Sequence, residues 1–239
     1  MELELLVDKA KLGLVNGIQL MLTVAGPLQK MINQPGITHE FCNNQAVTIL
    51  QRDGLTTVAD FFARFRRELN HGSNWADQGW KNVGHYMRQE EKGLWRFPCA
   101  LEVFDQYWRQ AAKNIHAGNV ASAMFHLGAA THIVQDMCVP HHARGKILAG
   151  HRHYENWVKQ RYDQYGLNSG GMYCDGREPG NFLLSNAAVS ADLLGWVSLD
   201  QREDYFHKAT EILLPLAQQT TSGLFLAFYE QVCKPAYSF

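Results

Sequence analysis

The chain has 239 residues, of which 46% are hydrophobic and 19% charged, and its formal net charge is −1. That balance suits one large globular domain with a sizeable core. The charge gives no electrostatic footprint for duplex nucleic acid, and no apolar run approaches the ~20 residues that a membrane-spanning helix needs.

The start, Met-Glu-Leu-Glu-Leu, lacks the basic region of a signal peptide. Residues 2–30 read as a helix with Leu3, Leu6, Ala10, Leu14, Ile18 and Met21 on one stripe. Residues 1–36 are therefore expected as an N-terminal extension packed on the same domain. Pro35-Gly36 breaks the chain. Thr38 is expected to cap the next helix, with His39 and Glu40 in its first turn and Ala46, Val47 and Leu50 inward. Asp53-Gly54 ends it. A third helix begins at Thr56 or Thr57 and buries Val58, Phe61, Phe62, Phe65 and Leu69. Residues 70–97 read as irregular, with Asp77 and His85 as potential ligands and three tryptophans (Trp75, Trp80, Trp95) arguing for an ordered segment.

A helix from Cys99 to Ile115 closes at Ala117-Gly118, and Asn119 is expected to cap its successor, which reaches Met137. On that successor Gly128 lies one turn below His132, where a small residue lets a neighbour approach the ligand-bearing face. A further helix is expected from about His153 to Tyr165, then a Gly-rich loop over 166–180. Two last helices are expected over Asn186–Val197 and Asp204–Gln231, with Pro215 kinking the second. No strand alternation appears. The expected fold is all-α, a single compact multi-helix domain over residues 1–239.

Eleven histidines are present, six of them between His116 and His151, and five scattered cysteines form no CxxC pair. The stretch His132–Glu155 is the densest in chemistry. His132 with Asp136, and His151 with Glu155, are both spaced i, i+4, which on a helix puts each pair on one face about 5–6 Å apart at Cβ. Imidazole and carboxylate are the ligand types of hydrolytic zinc sites. Between the pairs, Pro140 ends the first helix and His142 is placed to reach either ion. A single such pair would be unremarkable as a surface feature; two pairs with an intervening histidine point to metal.

These residues resemble a known family. Phe125-His-Leu-Gly128, His132, Asp136, Pro140-His-His142-Ala, then His151 and Glu155-Asn, follow the pattern of the bacterial zinc-dependent phospholipases C. Thr38-His39 with Ala46-Val47-Thr48-Ile49-Leu50, and Asp77 with His85, resemble that family's two earlier motifs. The resemblance covers roughly residues 37–160. It implies an all-α fold with zinc ions in one cleft. It also implies hydrolysis of a phospholipid at a membrane surface, yielding diacylglycerol and a phosphorylated head group. By position, one ion would take Asp77, His85, His132 and Asp136, a second His142, His151 and Glu155, and a third His39 with a share of Asp136. Asp77 would also be the catalytic residue, orienting or deprotonating the attacking water. His141 and His153 fall off the ligand pattern and are expected behind it or in solvent. His71, His116 and His207 read as ordinary surface or capping residues.

The same fold class serves single-strand nucleases of the S1/P1 type. Their last ligand pair normally comes later and ends in Asp, whereas eight residues separate His142 from His151 here and the pair ends in Glu155. Both features favour the phospholipase branch over the nuclease. A metal-binding helical protein without catalysis is a third reading. The family's third zinc is completed by an N-terminal Trp, but the matching position is Gln29. Two ions are therefore expected to be held tightly and the third weakly. Family members are usually secreted, and the lack of a convincing signal peptide keeps the cytoplasm open as the compartment. Gln78, after Asp77, gives no support for a choline preference.

Overall fold

The computed structural model describes residues 36–87, 98–146, 150–173 and 178–237. The expected helix over 2–30, with Gln29, lies outside the described residues, as do Trp95 and Cys174. Among the described residues there is no strand, and the chain is a set of packed helices.

Helix α1 spans Ile37–Arg52, α2 Thr56–Arg64 and α3 Arg66–Ala76. A two-turn 3-10 segment, Gly79–Gly84, leads to His85. Then come α4, Ala100–His116, and α5, Val120–Asp136. A short helix α6, Pro140–Ala143, is followed by α7, His151–Lys159. After these come α8, Gly180–Ala191, and α9, Glu203–Phe228, with α10, Lys234–Tyr237, beyond a π turn.

Residues 70–76, expected as irregular, are helical. Gly72, Ser73 and Asn74 are poor helix formers. Packing outweighs that preference, because Leu69, Gly72, Ser73 and Ala76 are all buried. The expected helix ends also shift. The segment after His153 breaks at Gln160 and resumes as a 3-10 turn, Tyr162–Tyr165. Helix α8 begins six residues before Asn186, and α9 runs through Pro215. Neither Thr38 nor Asn119 caps with its side chain; Gly36 and Asn119 stand at the two N-cap positions without a side-chain bond. At α4 the expected start at Cys99 holds, sealed by Glu102 accepting from the Cys99 N–H at 2.8 Å.

Helix α5 is the axis of the molecule. From Leu127 to Asp136 every residue is buried. On one side Met124 and Leu127 join Phe62, Phe225 and Phe228. On another, Ile133 and Met137 join Phe104, Phe182 and Leu183. A third cluster, with Tyr154, Trp157 and Phe206, lies between α7 and α9. Helices α3 and α5 cross at two glycines. A Cβ on Gly128 would stand 2.0 Å from the Leu69 carbonyl oxygen, and one on Gly72 would stand 1.8 Å from that of Phe125. The small residue expected to admit a neighbour at Gly128 does so, and the neighbour supplies a matching glycine. This close crossing brings the C-terminal end of α3, with Asp77, to the level of His132.

Candidate metal centre

The eight ligand-type side chains reach the centre from six places along the chain. His39 comes from the first turn of α1, and Asp77 from the residue that ends α3. His85 follows the 3-10 turn, and His132 and Asp136 lie on the last turns of α5. His142 sits on α6, and His151 and Glu155 lie on α7, started by Gly150 at φ 97°. All eight residues singled out in the sequence converge. They form three groups: His39, His132 and Asp136; Asp77, His85 and His132; and His142, His151 and Glu155. Within each group the candidate ligand atoms lie within 4.8 Å of one another.

Asp136 is the hub. Its Oδ2 lies 2.8 Å from His85 Nδ1, 3.2 Å from His132 Nε2 and 3.9 Å from His142 Nδ1. Its Oδ1 lies 3.6 Å from His39 Nε2. In the outer group, His151 Nε2 is 2.9 Å and His142 Nε2 3.6 Å from Glu155 Oε1. The two regions therefore adjoin through His142.

The residues fit a metal. Asp136 Oδ2, His85 Nε2 and both ring nitrogens of His132 are buried with no well-aligned hydrogen bond. A buried polar atom without a partner is costly, on the order of 1–3 kcal/mol. Buried imidazoles gathered around one carboxylate are what a cation would satisfy. Nitrogen and carboxylate oxygen in this mixture suit zinc.

Second contacts orient the ligands. His142 Nδ1–H donates to the His85 carbonyl at 2.8 Å, which leaves Nε2 facing Glu155. His39 Nδ1 is 2.8 Å from the Gln135 side-chain oxygen, which leaves its Nε2 facing Asp136. The Tyr86 ring stacks on His142 at 4.5 Å, with its hydroxyl 3.5 Å from His151 Nδ1. Sequence reasoning missed Gln135. The spacing puts it on the His132 face, three residues on, but says nothing of the partners that give it a role.

Electrostatics follow from this crowding. Burial disfavours the Asp136 carboxylate, but His132 and His142 outweigh it and hold its pKa well below the usual range. Burial, then His132, pulls His39 down to about 3. Burial likewise lowers His85. Burial also opposes charging at His142, yet Asp136 and Glu155 lift it to about 9. Burial raises Asp77, which also faces Asp136 and Glu155.

His141 stands behind the ligands, fully buried and stacked on His151 at 5.2 Å, and His153 is exposed against Phe206. His207 departs from the surface position expected of it: it is only partly exposed, hydrogen bonded to Tyr165 and set edge-on to Trp157. Trp75 packs inward on Tyr107 and Phe125, and Tyr86 faces the ligands.

Comparison with known proteins agrees with this picture. The chain resembles the alpha-toxin of Clostridium perfringens, from an avian strain, with a TM-score of 0.69 and 22% identity over 82% of the chain and 64% of the toxin. It resembles the alpha toxin of Clostridium absonum with a TM-score of 0.73 and 18% identity over 84% of the chain and 65% of the toxin. The chain thus spans just under two thirds of each toxin, and at these identities the likeness is one of fold. No curated protein sequence matches it. The model of the zinc-dependent phospholipase C family matches residues 38–212, well over half the chain. By that match, the chain belongs to the zinc-dependent phospholipase C family.

Proposed function

We propose that this protein is a zinc-dependent phosphodiesterase that cleaves a phospholipid on the glycerol side of its phosphate. The products are diacylglycerol and a phosphorylated head group. The observation that carries the reading is the adjacency of the two ligand regions, with His142 Nδ1 3.9 Å from Asp136 and its Nε2 3.6 Å from Glu155. Cations held by these two adjoining groups would suit a phosphodiester, whose charge rises in the transition state.

Asp77, His85, His132 and Asp136 would hold the central ion, and His142, His151 and Glu155 the outer one. His39 would hold a third with a share of Asp136, and His132 is also within reach of that position. Zinc, when bound, supplies a Lewis acid for the phosphoryl oxygen and lowers the pKa of water. The protein supplies the rest. The Asp77 carboxylate takes the proton of the attacking water. The His85 carbonyl accepts from His142 Nδ1–H and so turns that ring's Nε2 toward Glu155.

The test pairs metal analysis with two substrates. Purified protein should contain zinc and release phosphorylated head group from phosphatidylcholine or phosphatidylethanolamine vesicles. Chelation should stop this and zinc restore it. Faster cleavage of single-stranded DNA would transfer the protein to the nuclease branch. Bound zinc without turnover of either substrate would make it a metal-binding protein only.

A further inference from the structure

We propose that Gln135 is a positioning residue that fixes the tautomer of His39 and so completes the third ion's position. This rests on the zinc-binding reading above and adds to it a residue outside the ligand set.

The inference follows from counting protons in a buried network. The Thr221 hydroxyl donates to the Ala217 carbonyl at 2.6 Å. That carbonyl can only accept, and a hydroxyl has one proton, so Thr221 Oγ1 faces its other neighbour as an acceptor. The neighbour is the Gln135 side-chain amide, 3.0 Å away, which must present its NH2 group there. The same NH2 donates to Asn43 Oδ1 at 3.0 Å, while the Asn43 amide donates to Asn70 at 3.0 Å. With both amide protons committed, Gln135 Oε1 is left as an acceptor, 2.8 Å from His39 Nδ1. The imidazole must carry its proton on Nδ1, which bares Nε2 toward Asp136, 3.6 Å away.

Gln135, Asn43 and Thr221 are 3%, 1% and 0% exposed, so water does not compete for these bonds. One backbone carbonyl on α9 therefore sets the direction of every proton from Thr221 through α5 to a side chain on α1. A flipped Gln135 amide would set its oxygen against two acceptors.

The experiment reads the tautomer and the metal separately. In metal-free protein, long-range 1H–15N correlation of the imidazoles reports which nitrogen is protonated, with the His39 signal assigned by its loss in His39→Gln. Wild type should show Nδ1–H. Gln135→Leu, and Thr221→Val further away, should show a mixture of tautomers. Zinc titration of Gln135→Leu should weaken the weakest-bound ion about 10–100-fold and leave the tighter ions unchanged. An Nε2–H tautomer in wild type overturns the proposal, as does a zinc isotherm for Gln135→Leu identical to wild type. Should Gln135→Leu fail to fold, the wild-type tautomer and Thr221→Val decide. A wild type that binds no zinc would remove the zinc reading, and the tautomer measurement would still judge Gln135.

Discussion

The ring of His142 donates through Nδ1 to the backbone carbonyl of His85, 2.8 Å away, although the two residues are 57 positions apart. The tie is reciprocal in the main chain, since the Met87 N–H donates to the His142 carbonyl at 3.0 Å. Two candidate ligands of different ions are thus braced against one another, and neither can rotate without disturbing both.

That brace gives a pH signature. In the metal-free chain Asp136 and Glu155 hold His142 up at about 9, against the cost of its burial. Its proton competes with metal, so zinc affinity at this group should rise about tenfold per pH unit between pH 7 and about pH 9. Stability of the metal-free chain runs the other way. A raised pKa stabilises fully below the unfolded value of 6.5 and is lost as pH rises through about 9. The carboxylates of Asp136 and Glu155 are depressed, so their contribution is lost only in acid, as pH falls below their ordinary values. The melting temperature without metal should therefore fall from pH 6.5 to pH 9.5. A flat profile would show that the His142 charge is not coupled to these acids in solution.

Gly72→Ala and Gly128→Ala should each destabilise the fold by about 1–3 kcal/mol, because each new methyl meets backbone that cannot turn away. Denaturant midpoints check the stability. Zinc content should fall as well, since the crossing they prop apart places Asp77 beside His132.

His132→Ala should remove a residue shared by two of the three ligand groups. Zinc affinity should fall by more than about 100-fold, beyond the usual cost of losing an outer contact. Zinc counting by mass spectrometry and a melt with and without chelator would show it. Unchanged zinc content would mean that the deep histidine is not a ligand.

Asp77→Asn separates two roles. As the proton acceptor it should cost about 10²–10⁴ in kcat with zinc retained. Asparagine keeps an oxygen for the ion, so loss of an ion from the same variant would trace the lost activity to Asp77's ligand role instead of its basicity. Steady-state kinetics with metal analysis of one sample distinguishes them.

Much of this was legible in the sequence because its signals are local. His132 with Asp136 and His151 with Glu155 declare themselves by helical spacing, and Gly128 by its place one turn from a ligand. What stayed hidden depends on partners far along the chain. The helix through Gly72, Ser73 and Asn74 exists because α5 covers it, which residue preferences do not record. Gln135 gains its meaning from Asn43 and Thr221, 92 and 86 residues away. The burial of His141 likewise comes from packing against α7, which the adjacent His142 did not reveal.

Exposure of the ligand side chains rises outward from the hub. It is 1% at His85, 2% at His132 and 4% at Asp136, against 21% at His39 and 30% at Glu155. A chelating agent must therefore strip the proposed ions in sequence, from the rim inward. Brief treatment would leave a half-emptied protein that still carries its innermost ion yet turns nothing over. A preparation judged by the mere presence of zinc would pass for whole.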